Sequence, residues 1–566
     1  MRLRPLHLVP MLAGMVMVGP VIAGLTGALL PAFGWLPVLG GEQVSLAPIR
    51  ALLDTPGLGR SVLLSLASGL VTTLLALLMV IGLLAGWSGT RLFRWMERLI
   101  SPLLSIPHAA AALGLAFLFA PSGWLVRMVS PQLTGWSRPP DWLFPHDPYG
   151  LAMIAGLTIK EIPFLLLVSL AALPQINPRT MTEVARSLGY GPVMGWLHAV
   201  WPRLYRQIRL PVFAVIAYAS SAVDVALILG PTNPPPLAVQ LTRWMSDPDL
   251  AMRFLASAGA ILQLVVTLAA LALWWGGERL AGWLTGCLVL SGVRFQRDDW
   301  LRRLAALLNM VVVAVMLWGL AGLVLWSFAG LWRFPEALPS ALSLKIWQMQ
   351  GGMLIEPLRN AVLIGGLATA IGLVLTLSVL EAEIRLGERA GRWSQLLVYL
   401  PLIVPQVAFL FGLQLIILSS GGAYSLWAMV LGHLVFVLPY VFLSLGDQWR
   451  ALDPRYARMA ASLGHSAWTT FWCLRLPLLT RPILTAAAVG FAVSIGQYLP
   501  TLLIGGGRWE TITTEAVALS AGGNRRLIGI YALMQMLLPF CAFLIAMGLP
   551  ALLFRNRRGM APTTTR

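Results

Sequence analysis

The sequence predicts an all-α integral membrane protein of about twelve transmembrane helices, arranged as two parallel six-helix repeats. Three observations carry this expectation. The 566 residues have a mean hydropathy of +0.79, with 58% hydrophobic and only 11% charged residues, whereas a soluble domain is about 25% charged. The apolar residues gather in runs close to the roughly 20 residues that cross a bilayer as a helix. One charged, Arg-bearing loop occurs twice, 275 positions apart.

Helices follow because backbone polar groups in lipid must be satisfied within the segment, and the short alternating strands of a membrane barrel are absent from the pattern. The first run, near 8–30, follows a charged start but is too long for a signal-peptide apolar region, so it reads as an uncleaved span. The second, near 60–86, opens on Arg60-Ser61, and the third, near 101–120, carries Pro107 and Gly114. A Pro- and Trp-rich outer loop leads to the fourth, near 149–172, which holds Lys160-Glu161. The fifth and sixth lie near 210–231 and 254–275.

The second series mirrors the first: 305–328, 358–380, 394–418, 425–447, 482–504 and 529–553. Arg359-Asn360 opens the eighth span, and Pro405 and Gly412 in the ninth repeat the spacing of Pro107 and Gly114. Leu438-Pro439-Tyr440 matches Ile162-Pro163-Phe164. The offset falls from 298 at Pro107/Pro405 to 276 at Pro163/Pro439, which localises a 22-residue insertion to the outer loop after span three. The division is 1–304, with its loop near 177–204, and 305–566, with its loop near 453–479. Parallel repeats place a pathway between the halves, along an axis normal to the membrane.

The net charge of +18 arises from short arginine clusters between apolar runs. That distribution fits positive-inside topology and not nucleic-acid binding. With both termini cytoplasmic, 27 basic residues fall inside against 10 in the outer loops. Both copies of the repeated loop then face the cytoplasm. Cys287, Cys473 and Cys541 suggest no disulfide framework, and the six histidines show no metal spacing. No nucleophile–base constellation stands out, so no catalytic residue is assigned.

The first loop runs Glu183-Val-Ala-Arg-Ser-Leu-Gly189 to Trp201-Pro202, and the second Arg458-Met-Ala-Ala-Ser-Leu-Gly464 to Leu474-Arg-Leu476-Pro477. In both, glycine precedes proline by 13 positions. Asn177-Pro178 and Asp453-Pro454 each set a capping residue before a proline suited to a first helical turn. A lone loop of this kind reads equally well as a solvated amphipathic connector; two copies at one spacing point to a repeated docking function.

This pattern resembles the EAA loop of ABC-transporter permeases, the membrane subunits of binding-protein-dependent importers: Glu-Ala-Ala, three residues, Gly, nine residues, Ile-x-Leu-Pro. Glu183, Ala185, Gly189 and Pro202 match in the first copy, and Ala460, Gly464, Leu476 and Pro477 in the second. Arg458 stands where the glutamate of the pattern falls. The resemblance extends to fused permease pairs for thiamine, ferric iron and related small solutes. It implies a multi-pass protein of the bacterial inner membrane, with two ABC ATPase subunits docked on the loops and a periplasmic or extracellular solute-binding protein opposite. ATP and Mg would then belong to the partner ATPase, with no cofactor in this chain. Neither lysine, Lys160 or Lys345, follows a glycine, so a Walker A loop cannot form here.

Polar residues inside spans are costly and mark pathways or buried pairs. Lys160 and Glu161 sit mid-span, about 100° apart around the helix, which gives them different partners. Asp224 in span five and Gln497-Tyr498 in span eleven lie at nearly matching depths, as pathway lining or as helix-packing polar groups. His108 and Gln406, after the paired prolines, are further pathway candidates. Trp136, Trp142, Trp244, Trp332, Trp347 and Trp509 form either an interfacial belt or a docking face. The alternative function is an ion-gradient-driven secondary transporter of two six-helix halves. The loop after span two, Gly86-Trp-Ser-Gly-Thr-Arg91, lacks the aspartate that major-facilitator transporters carry there.

Overall fold

A computed structural model describes residues 4–387, 392–422 and 424–554 of the chain. Arg2, Arg389 and the basic tail within 555–566, which entered the orientation count, lie outside the described residues. The protein is an all-α integral membrane protein; among the described residues the β-structure is two isolated bridges, Leu36 with Gly41 and Ala329 with Leu342. Nine described helices are long and apolar enough to cross a membrane, or eleven if each of two sharply bent pairs is one span.

The first half contains α1 (Arg4–Ala32), α2 (Leu58–Trp87), α3 (His108–Phe119) and α4 (Leu151–Ala172). After α4 come the short loop helices α5 (Pro178–Ser187) and α6 (Pro192–Ala199), then α7 (Trp201–Ser221), α8 (Asp224–Leu229) and α9 (Met252–Leu290). The second half follows as α10 (Asp299–Phe328), α11 (Lys345–Leu386), α12 (Arg392–Ile403), α13 (Gln406–Ser419) and α14 (Leu426–Arg450). Its loop helices are α15 (Pro454–Ser462) and α16 (Ala467–Thr470), followed by α17 (Thr480–Ile495), α18 (Leu499–Gly505), α19 (Ile512–Ser520) and α20 (Arg525–Leu553). The 304/305 division falls inside α10.

The spans expected at 101–120, 210–231, 394–418 and 482–504 are each broken. Pro107 and Pro405 do more than kink a helix. Each takes extended backbone and starts a new one, and the α12–α13 pair bends by 89°. A proline disfavours helical geometry in the residue before it, so the preceding helix must stop. Span five stops at Ser221 and restarts at Asp224; span eleven stops at Ile495 and restarts at Leu499. The matched position of these two breaks was not visible in hydropathy.

The first helix of each half crosses to the other half. Helix α1 lies against α13, where a Cβ on Gly412 would overlap the carbonyl oxygen of Gly24. Helix α10 lies against α3, where a Cβ on Gly319 would come 3.0 Å from the carbonyl carbon of Gly114. Lipid supplies no hydrophobic drive between helices, so such backbone approach through small residues is what holds them.

Trp244 and Trp332 are buried within the protein. Trp332, Trp347 and Trp509 donate their indole N–H to the carbonyls of Glu336, Ser327 and Tyr424 at 2.8–2.9 Å. They pin the segments between spans to the bundle.

Gly412→Ala is expected to lower stability by about 1–3 kcal/mol through overpacking, while Gly366→Ala, with open space around its Cβ position, does not. Unfolding midpoints of the two purified variants in detergent test this; equal midpoints would remove the α1–α13 crossing as a structural determinant.

Candidate functional site

The two loops share one local design. Helix α5 ends at Gly189, whose φ of 88° only glycine adopts readily. The N–H of Gly189 donates to Arg186 and that of Tyr190 to Ala185, which closes the helix end as a Schellman turn. Helix α15 ends the same way: Gly464 has φ 80°, and the N–H groups of Gly464 and His465 donate to Ala461 and Ala460. The helix starts differ. The Asp453 carboxylate caps α15 through the N–H of Arg455 at 2.8 Å, whereas Asn177 is left-handed and makes no side-chain cap. The capping expectation holds for the second loop only.

Ala185 is buried against Gly195, whereas Glu183 and Arg458 are both exposed. Pro202 lies in the first turn of α7. Leu476 and Pro477 form a short helical turn ahead of α17. The sequence comparison passed over the exposed apolar residues. Val184 and Leu188 are 55% and 61% exposed, and Met459 and Leu463, at the same places in the second copy, 62% and 75%. Val184 is a departure from the loop pattern; only the structure shows that it and its counterpart face outward.

The loops are anchored by unlike interactions. Asp298, at the head of α10, is buried, and its Oδ2 accepts the N–H groups of Val193 and Met194 at 2.8 and 2.7 Å. It therefore caps α6 from about a hundred residues away. A Cβ on Gly191 would sit 2.6 Å from that carboxylate, so the arrangement needs glycine there. Arg294 in the same linker donates to Leu188 O at 3.3 Å and to the Tyr190 hydroxyl at 2.7 Å. In the second loop Ser466 occupies the equivalent place and caps its own helix through Thr469 N–H at 3.1 Å. That loop is tied by Arg475 to Glu381 on α11, which Arg385 also pairs at 2.7 Å.

A polar cluster lies where the broken spans meet. Lys160 and Glu161 do have different partners. Lys160 Nζ donates to the carbonyls of Leu103 and Leu104 at 3.0 and 3.1 Å, before the Pro107 break. Glu161 Oε1 is 3.1 Å from His108 Nε2. The His108 ring lies tilted by 53° against Tyr218 at 4.7 Å between centroids, and the Tyr218 hydroxyl reaches Asp224, the first residue of α8, at 3.5 Å. The second half completes the cluster: Tyr440 is within electrostatic reach of Glu161, and Tyr498 of Asp224.

Glu161, Asp224 and Tyr498 are thus brought together, while Lys160 is turned to backbone carbonyls. Gln497 is buried, and its own carbonyl accepts from Thr501 at 2.9 Å. Tyr218 and Tyr440 escaped the sequence reading because tyrosine in an apolar run gives little signal. His433, held between Ser494 and Thr501 at 2.7 and 3.0 Å, escaped it as well.

Comparison with known proteins now bears on this geometry. Residues 368–556 match the family described as "Binding-protein-dependent transport system inner membrane component". The inner membrane ABC transporter permease protein YnjC of Escherichia coli (strain K12) is 33% identical over 533 residues, which span 92% of this chain and 94% of that protein. The chain belongs to the ABC transporter permease family. The probable ABC transporter permease protein y4fN of Sinorhizobium fredii is 23% identical over 69% of the permease chain and 68% of its own. The putative 2-aminoethylphosphonate transport system permease protein PhnV of Salmonella typhimurium is 25% identical over 30% of this permease and 64% of PhnV. The matched stretch 368–556 includes the loop with Arg458.

Asp298→Ala is expected to leave two amides of the permease without their acceptor and to destabilise α6 by about 1–2 kcal/mol. Hydrogen exchange over 191–199 reads this directly. Faster exchange there, with 467–475 unchanged, is the expected result; unchanged exchange in both would refute the cap.

Proposed function

We propose that this permease forms the translocation pathway of an ATP-driven importer for a small solute, with six-span repeats at 1–304 and 305–566. Two ABC ATPase subunits dock on the loops built from α5–α6 and α15–α16. A solute-binding protein meets the opposite face. ATP and Mg sit on the ATPase, and no catalytic residue is assigned to this chain. The membrane is the bacterial inner membrane, with loops and termini in the cytoplasm. Glu183, Ala185, Gly189 and Pro202 shape the first docking loop; Arg458, Ala460, Gly464, Leu476 and Pro477 shape the second. Asp224, Glu161, Gln497 and Tyr498 line the pathway at the helix breaks, with Lys160 bracing the Pro107 break beside them.

The observation that carries this reading is the pair of outward apolar residues at matched positions, Val184 with Leu188 and Met459 with Leu463. Each pair lies at the end of a short helix, its second residue being the C-cap ahead of a left-handed glycine. Large apolar side chains at the tip of a polar loop gain from a groove that removes them from water. A helix of this length fits the helix-in-groove mode of recognition.

Leu188→Asp and Leu463→Asp are each expected to reduce co-purification with the neighbouring ATPase gene product by about tenfold or more, the scale of a buried anchor residue. Gly189→Asp is expected to weaken docking further, because it also strains the left-handed turn. Undiminished ATPase binding in both leucine variants would sink the docking role. Solute movement by the chain alone under a proton gradient would instead favour a secondary transporter.

A further inference from the structure

Residues of both halves line a partly open cavity of about 380 Å³. It includes His146, just before α4, and so lies at the end of α4 opposite the loop helices. Arg243 and His146 come from the first half; Arg525 and Gly523 come from the second. Leu113 and Phe117 on α3 give it an apolar floor. The volume is within the usual range for a small-molecule site, and the lining of apolar walls with few polar groups is typical of one.

Positive charge is in excess here. Arg525 is fixed by Ser122, whose carbonyl and hydroxyl oxygens accept its guanidinium N–H groups at 2.6 and 2.8 Å. The same Ser122 carbonyl accepts Arg127 Nε at 2.9 Å. Arg127 and Arg525 both lie over the Trp326 ring, 5.6 and 5.3 Å from its centroid. Arg127 also donates to the backbone carbonyls of Arg333 and Glu336 at 2.7 and 3.3 Å. Arg243 touches the carbonyl of Thr232 at 3.3 Å. Among the described residues, no ion pair forms at Arg127, Arg243 or Arg525.

The Arg525 guanidinium is half-buried and has no carboxylate partner among the described residues, a cost that a bound anion would offset. The guanidinium fork matches the paired oxygens of an oxyanion. The carboxylates Glu161 and Asp224 lie deeper, with His108 and Lys160 close by. Leu227 and Ile228, one turn after Asp224 on α8, line the cavity, so it is the next space outward from the polar cluster.

We infer that this cavity is a solute site for a small molecule bearing an oxyanion group, such as a phosphonate, sulfonate or carboxylate, held by Arg525 and Arg243. The inference rests on the proposed pathway between the halves and adds the chemical class of its solute. Arg525, fixed by Ser122, is the preformed ligand. Arg243, exposed at the rim, closes on the anion.

The test uses the full chain in nanodiscs of phosphatidylcholine, titrated with sulfate, methylphosphonate or acetate against choline chloride at equal ionic strength. The unfolding midpoint and tryptophan fluorescence report binding. At least one oxyanion is expected to give a saturable shift that choline chloride does not. Arg243→Gln and Arg525→Gln are each expected to weaken its apparent affinity by about tenfold, the scale of one charge-assisted contact. Arg243→Gln disturbs one long hydrogen bond at the surface, so its effect is separable from misfolding. No saturable shift with any of the three anions, or wild-type affinity in Arg243→Gln, would overturn the site. A shift produced only by phosphatidylglycerol in the disc would also overturn it, by assigning the cavity to a lipid headgroup. ATPase co-purification of the same variants is read separately. Intact docking with lost anion binding bears on the pathway, and lost docking with intact binding bears on the loops.

Discussion

The close backbone approach of Gly24 to Gly412, and of Gly114 to Gly319, is the constraint on which the rest of the bundle depends. In a bilayer, side-chain burial between helices gains little over contact with lipid, so helices hold by close packing. Each of these contacts joins the first helix of one half to the third span of the other. The halves are thereby interlocked, and the broken spans behind them are held at the interface.

Those breaks create the polar interior. Lipid-exposed backbone cannot be left without hydrogen bonds, but irregular backbone is tolerated where protein surrounds it. The stretch before Pro107 is served by Lys160, which donates to Leu103 and Leu104. The break before Asp224 places that carboxylate beside Tyr218, within reach of His108 and Tyr498. Charged residues at this depth are therefore accounted for by the discontinuities next to them.

The loops show how a repeated sequence acquires unequal surroundings. Both copies keep the helix, the left-handed glycine and the outward apolar pair. The first has no side-chain cap at Gly191 and takes one from Asp298, at the head of the helix that opens the second half. The second keeps Ser466 and is tied to α11 through Arg475 and Glu381. The first loop is thus tied directly to α10, and the second to α11.

Hydropathy and spacing by themselves determined the membrane class, the apolar runs, the paired Pro107 and Pro405, and the repeated loop, because each is a local property of the chain. The separation of Lys160 from Glu161 was also legible, since adjacent helical residues diverge by about 100°. The resemblance to permeases rested on such local marks. Other features were not legible because they pair residues far apart in sequence. Asp298 with Gly191, Tyr440 with Glu161, Arg525 with Ser122 and Gly24 with Gly412 exist only after the helices cross. Breaks at Ala222-Val223 and Gly496–Tyr498 leave hydropathy high on both sides, so composition alone does not reveal them. Tertiary structure decided these points because a polar group inside a membrane is defined by its partner, and the partner comes from the other half of the chain.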